Sequence, residues 1–192
     1  MPHRLEKTLN APADDILEAI ACGFRAQADV KGKLAELYLA RHLDGLIAQG
    51  VIDRYTWNDK DGVPDFEVFK GTVRLVVECK NVRSGPRHGG SGFATVELQK
   101  TRNGVDAQGN KTRGYRMDHF DVLAACTFNQ TGQWTYRFIR SRRLLARTGS
   151  PDILVVMQQV PYVDGDGWSG DLSAVIEEEL ASRGGVGQSR GR

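Results

Sequence analysis

The chain has 192 residues, with 26 basic and 24 acidic side chains, a formal net charge of +2 and 40% hydrophobic residues. This size and balance predict one folded domain over 1–183 and a disordered tail over 184–192. No apolar run reaches transmembrane length and the first residues are polar, so we expect a cytoplasmic protein with no membrane partner. The three cysteines are too few and too widely spaced for a disulfide framework or a cysteine-rich zinc site.

Two helices are predicted early in the chain, over 13–23 and 31–49. In the second helix, Glu36 belongs to a helical stripe that also contains apolar residues, namely Leu39, Ala40, Leu43 and Ile47. A carboxylate on a buried stripe is costly unless it meets a cation or hydrogen-bond donors, so Glu36 is a candidate site residue. Taken alone, a glutamate at such a position is more often a partly solvated helix residue.

The most informative stretch is VPDFEVFKGTVRLVVECK, residues 63–80, which follows a predicted strand over 51–57. Its pattern predicts two antiparallel strands joined by a turn at Lys70-Gly71. Side chains alternate across a strand, so Glu78 and Lys80 share one face of the second strand. The opposite face, which includes Cys79, is predicted to be buried.

The same hairpin places Asp65 at the start of one strand and Glu78 near the end of its neighbour, so that the two carboxylates can meet. Two carboxylates and an amine at strand ends predict a magnesium site with a lysine that handles water. Such a site is suited to phosphodiester hydrolysis. Taken singly, Asp65 could be a turn residue after Pro64, and Glu78 with Lys80 could form an exposed salt bridge of little energetic value.

Together, Pro64-Asp65, Glu78-x-Lys80 and the upstream helical Glu36 resemble the PD-(D/E)XK nuclease superfamily, which includes restriction endonucleases and archaeal Holliday-junction resolvases. The resemblance implies a restriction-endonuclease-like α/β fold with a central mixed β-sheet flanked by helices. It also implies catalytic roles for Asp65, Glu78, Lys80 and Glu36. The implied cofactor is Mg²⁺, for which Mn²⁺ could substitute, bound by Asp65, Glu78 and the backbone carbonyl of Cys79.

Beyond the motif, the pattern predicts a glycine-rich loop over 84–92, a short helix after Ser141, and a closing helix over 172–182. Further strands are predicted over 94–101, 121–128, 134–139 and 153–157. Cys79 and Cys126 are interpreted as small core residues.

The charges are distributed unevenly along the chain. From Lys80 to Arg116, eight basic residues accompany only Glu97 and Asp106. We expect this segment to contact DNA through Arg83, Arg87, Lys100, Arg102, Lys111, Arg113 and Arg116, with Gln99 in possible support of the site. A second basic cluster, also expected on the cationic face, contains Arg137, Arg140, Arg142, Arg143 and Arg147.

The predicted function is a metal-dependent DNA endonuclease of the restriction type (type II-like). We expect a homodimer, because a double-strand cut needs two sites and the chain contains one. The alternative is a structure-specific nuclease of the Holliday-junction-resolvase type. A non-catalytic DNA-binding subunit is disfavoured, because Asp65, Glu78 and Lys80 are all present.

Overall fold

The computed structural model describes residues 2–60, 63–84, 92–105 and 111–184, without the side chains of 100–105 and 111–113. The chain divides into two compact units, one up to Leu34 and one from Ala35 onward. The described helices are α1 Arg4–Leu9, α2 Ala13–Cys22, α3 Phe24–Ala48, α4 Phe128–Thr131 and α5 Leu172–Gly184. The described strands are β1 Arg54–Trp57, β2 Phe66–Lys70, β3 Val73–Asn81, β4 Phe93–Glu97, β5 Gln99–Val105, β6 Lys111–Gly114, β7 Val122–Cys126, β8 Tyr136–Arg140, β9 Ala146–Arg147, β10 Ser150–Leu154 and β11 Met157–Pro161.

A five-stranded mixed sheet forms the centre of the second unit, in the order β1-β2-β3-β7-β8. Strands β1, β2 and β3 form an antiparallel meander, in which the predicted hairpin turn joins β2 to β3. Strand β3 then pairs with β7 in parallel, and β7 pairs with β8 in antiparallel fashion. The predicted class, a mixed α/β fold with a central mixed sheet and flanking helices, is confirmed.

The first face of this sheet is covered by two helices. Leu39 and Leu43 of α3 and Val175 and Ile176 of α5 pack in one cluster with alternate residues of the sheet strands. The buried stripe of α3 runs through Ala35, Leu39, Ala40, Leu43 and Leu46, whereas the predicted member Ile47 is 37% exposed. The stripe is therefore rotated towards Ala35, which leaves Glu36 half-buried at its margin.

The second face of the sheet is covered by β-structure. Strands β4 and β11 form an antiparallel pair whose apolar residues, including Val96 and Val160, pack with Val76 and Leu123 of the sheet. Both faces of β3 and β7 are therefore covered, which explains the continuous apolar character of β7.

The strand predicted over 94–101 is interrupted at Leu98. This residue is fully buried, and its amide nitrogen donates to the carbonyl of Val156 at 2.7 Å. Before Leu98 the chain pairs with β11, and after it with β6. The strand predicted over 153–157 is likewise divided between β10 and β11. Both predictions were wrong about continuity, because alternation of side chains does not reveal a change of pairing partner.

The first unit contains α1, α2 and the beginning of α3, and α1 was not predicted. Every residue of α1 and α2 is exposed or half-buried. No helix in the described part of the chain combines the length and apolarity needed to cross a bilayer. Almost all of the predicted tail and most of the glycine-rich loop lie outside the described residues.

Candidate active site

Asp65, Glu78 and Lys80 meet at the end of the central hairpin. The Lys80 ammonium nitrogen lies 2.6 Å from Glu78 Oε1 and 3.9 Å from Asp65 Oδ2. Antiparallel pairing of β2 with β3 sets Phe66 opposite Val77, which brings the preceding Asp65 beside Glu78. The amide nitrogen of Cys79 donates to Asp65 Oδ2 at 2.8 Å and fixes that carboxylate.

These groups are shielded from solvent. The Glu78 side chain is 7% exposed, against 28% for Lys80 and 20% for Asp65. The alternative of an exposed surface salt bridge between Glu78 and Lys80 is therefore wrong. Asp65 is also more than a turn residue, because its carboxylate is held by the backbone of the neighbouring strand.

Tyr115 completes the arrangement and was not predicted. Its hydroxyl donates to Glu78 Oε1, the same oxygen that faces Lys80. Its ring makes edge contacts with His119 and Phe120. No local pattern marks this tyrosine, because 37 residues separate it from Glu78 in the chain. Asp65, Glu78, Lys80 and Tyr115 together form the Glu78 cluster.

The pKa values of Asp65 and Lys80 in the Glu78 cluster are both shifted from their usual ranges. Burial, followed by repulsion from Glu78, raises the pKa of Asp65 to about 6. Burial alone would lower the pKa of Lys80, but attraction to Glu78 and Asp65 outweighs it and raises that pKa well above its usual range. Lys80 is therefore a fixed cation, and this one ammonium group is shared by two carboxylates.

Glu36 lies on α3, where its Oε2 accepts a hydrogen bond of 2.8 Å from the indole nitrogen of Trp57. The indole stacks on Phe66 with ring centroids 5.9 Å apart. After burial and Glu78, the Glu36 charge makes a smaller contribution to raising the pKa of Asp65. Glu36 therefore lies outside the Glu78 cluster, and its charge contributes to the raised pKa of Asp65.

The donor set of this site suits a hard divalent cation. In the described part of the chain, no group of three or more His, Cys, Asp or Glu side chains could hold a metal ion. Asp65 and Glu78 supply two carboxylates, and Mg²⁺ commonly binds through one or two carboxylates while it retains water ligands. A cation near Asp65 would also relieve the repulsion that raises its pKa. The residues present thus fit Mg²⁺ and do not resemble a zinc site.

The predicted DNA-contacting residues differ in their surroundings. Arg83 lies 3.5 Å from Glu97, and Arg116 forms ion pairs with Asp118 and Asp152. Gln99 is exposed at the first position of β5. Arg87 lies outside the described residues, whereas strands β5 and β6 contain Lys100, Arg102, Lys111 and Arg113.

Four arginines of the second basic cluster are paired with acids, and the fifth, Arg147, is exposed. The Glu179 side chain is 1% exposed and accepts hydrogen bonds from Arg140 at 2.8 Å, Arg142 at 2.6 Å and Arg183 at 3.1 Å. Arg140 and Arg143 also pair with Glu178, and Arg137 pairs with Asp164. The sequence separates Glu178 and Glu179 from the arginines, but α5 brings the two acids to them. The Glu179 cluster comprises Arg140, Arg142, Arg143, Arg183, Glu178 and Glu179.

A cavity of about 580 Å³ opens on the α3 side of the sheet, and its lining includes Tyr38, Arg41, Trp134 and Arg137. Trp134 stacks between aromatic neighbours, at 5.1 Å from Tyr38 and 3.9 Å from Phe128. The described lining contains no member of the Glu78 cluster. We therefore interpret the aromatic residues of this cavity as packing.

No known protein family matches the sequence, and no curated protein matches it. Among solved structures, the chain is similar to a bacterial homing endonuclease, I-Ssp6803I, with 14% identity and a TM-score of 0.48. The alignment covers 85% of this chain and 98% of that one. A likeness this remote does not identify a family.

Proposed function

We propose that this protein is a metal-dependent endonuclease that hydrolyses phosphodiester bonds in DNA, most simply as a restriction-type enzyme. The observation that carries the proposal is the meeting of Asp65, Glu78 and Lys80 in a shielded cluster at strand ends. A double-strand cut needs two such sites, so the active form would be a homodimer.

Each residue of the Glu78 cluster has a role in the proposed reaction. Asp65 and Glu78, together with the backbone carbonyl of Cys79, would hold Mg²⁺. The bound ion would supply positive charge to stabilise the negative charge that develops on the phosphate. Lys80 would orient the attacking water and neutralise part of that same charge. Deprotonation of that water by Lys80 is the alternative role of the same amine.

Glu36 and Tyr115 would act from outside the metal-binding pair. Tyr115 fixes the orientation of the Glu78 carboxylate through its hydroxyl. Glu36 adds negative charge close to Asp65, which favours a cation there.

The test is cleavage of supercoiled plasmid in the presence of Mg²⁺, Mn²⁺ or EDTA. We expect the wild-type chain to cut with either metal and to be inactive in EDTA. Lys80→Ala should slow cleavage by at least about 100- to 1000-fold, because a positioned charge-stabilising group is lost. Arg74→Ala is the matched control, since Arg74 forms an ion pair with Glu67 on the same strand pair.

Thermal unfolding would verify that Lys80→Ala is folded. Cleavage by folded Lys80→Ala at the wild-type rate would contradict the proposal. Discrete fragments would indicate sequence-specific cutting. Preference for a four-way junction over linear duplex would instead favour the resolvase alternative.

A further inference from the structure

Strands β5 and β6 form a two-stranded antiparallel ribbon that is separate from the central sheet. Gln99 pairs with Gly114 at one end, and Val105 pairs with Lys111 at the other. Among the described strands, these two pair only with each other. We call them the β5–β6 ribbon.

The base of the β5–β6 ribbon is attached next to the Glu78 cluster. On one side it follows Leu98, which is fully buried and hydrogen-bonded to the Val156 carbonyl. On the other side it leads directly into Tyr115, whose hydroxyl binds Glu78. A ligand at the base of the ribbon would therefore lie close to the proposed catalytic residues.

The charge of the β5–β6 ribbon is of one sign. Its described strands, QKTRNGV and KTRG, contain four cations and no acidic residue, the cations being Lys100, Arg102, Lys111 and Arg113. A cationic ribbon of this kind is typical of a surface that binds a polyanion.

The dimensions of the β5–β6 ribbon favour binding in the major groove of B-form DNA. The major groove of B-form DNA admits a two-stranded β-ribbon and is roughly 8.5 Å deep. The seven residues of β5 span roughly 23 Å at about 3.3 Å per residue. The ribbon is therefore longer than the groove is deep, so it can reach the base edges at the floor of the groove. The deep, narrow major groove of an A-form RNA helix would exclude it.

We propose that the β5–β6 ribbon enters the major groove of duplex DNA and reads base edges there, an inference that rests on the proposed endonuclease function. The substrate class is thus B-form duplex DNA with a preferred sequence. Because the ribbon leads into Tyr115 at its base, recognition and cleavage would take place on the same DNA molecule.

The experiment measures binding separately from cleavage. Every chain carries Lys80→Ala, and binding is followed without divalent metal, so the result does not depend on catalysis. The probes are a duplex DNA library with a randomised core and a double-stranded RNA of mixed sequence. The ribbon variant adds Arg102→Ser and Arg113→Ser, and the control variant adds Arg74→Ser and Arg143→Ser, which remove the same charge from residues in ion pairs.

We expect the parent chain and the control variant to enrich the same sequence from the DNA library and to bind the RNA poorly. The ribbon variant should lose discrimination by about ten- to hundredfold at the affected bases, with unchanged thermal unfolding. A parallel DNA library contains a deaza analogue of guanine, which lacks the ring-nitrogen acceptor in the major groove. From this library, the parent chain should no longer enrich the preferred sequence.

Enrichment of the parent sequence by the ribbon variant would overturn the inference. So would a parent chain that binds DNA without sequence preference, that binds the RNA equally well, or that binds neither probe. Because cleavage is assayed separately, enrichment without any plasmid cutting would overturn the endonuclease function while the ribbon remained a DNA reader.

Discussion

The Glu78 cluster and the Glu179 cluster each contain a buried carboxylate, yet their charges are balanced in opposite ways. In the Glu179 cluster, one carboxylate that is 1% exposed receives three guanidinium groups. In the Glu78 cluster, one ammonium group is shared by two carboxylates, and the pKa of Asp65 rises to about 6. Among the described residues, the first network is satisfied by its own chain, whereas the second has a deficit of positive charge.

This difference separates a structural role from the proposed catalytic one. A buried charge that its own chain fully compensates fastens α5 to β8 and has no need of a ligand. A buried pair of carboxylates that one ammonium group compensates only in part lowers the stability of the fold, and an external cation would stabilise it. Four substitutions test this contrast, beginning with the largest expected effect on stability.

Glu179→Gln should lower the free energy of unfolding by about 3 kcal/mol, because it removes a buried carboxylate that accepts from three guanidinium groups, while Arg140 keeps Glu178 as a partner. Cleavage per folded molecule should stay at the wild-type level. Urea unfolding and plasmid cleavage would measure the two effects. Glu178→Gln is the control, since that glutamate is 43% exposed and its loss should cost much less. Equal losses from the two variants would show that burial of Glu179 is unimportant.

Asp65→Asn should change how stability depends on pH. Because folding raises the pKa of Asp65 to about 6, the folded state holds an extra proton between about pH 4 and pH 6. Wild-type stability should therefore decline as pH rises through this window, by at most about 3 kcal/mol. Asp65→Asn should lack that decline and should not cleave DNA.

Urea unfolding in EDTA, from about pH 4 to pH 7, would compare the two chains. Parallel curves for wild type and Asp65→Asn would show that Asp65 carries no excess proton. Addition of Mg²⁺ should restore stability to the wild-type chain alone, since the variant has lost a carboxylate ligand.

Tyr115→Phe should slow cleavage by about ten- to hundredfold, because a hydrogen bond to a charged group is removed while the ring is retained. Tyr55→Phe is the matched control, since it removes a phenol that donates to Asp44 at 2.9 Å. Single-turnover cleavage rates of the two variants would be compared. If both variants cut equally fast, Tyr115 has no positioning role.

Arg74→Ala should change the free energy of unfolding by no more than about 1 kcal/mol, because its ion pair with Glu67 lies at the surface. Cleavage should be unchanged. A larger loss of stability in urea would mean that surface ion pairs in this protein matter more than the contrast between the two clusters implies.

The sequence was sufficient to predict what lies within one hairpin. Alternation in β3 places Glu78 and Lys80 on one face, and the short turn brings Asp65 to them. Tyr115 and the partners of Glu179 could not be predicted, because their contacts join segments that are far apart in the chain. The change of partner at Leu98 was missed for a related reason, since a strand looks the same whichever strand it pairs with.

The parallel pairing of β3 with β7 has a consequence for how the protein folds. Glu78 lies opposite Leu123 in this register, so the two strands meet only after a long intervening segment has closed. Such closure is slow compared with formation of a local hairpin. During refolding, Asp65 and Lys80 can approach each other early, whereas Tyr115 reaches Glu78 only after the chain between them has closed. Nuclease competence should therefore appear after most of the hairpin has formed, as a late event on the folding pathway.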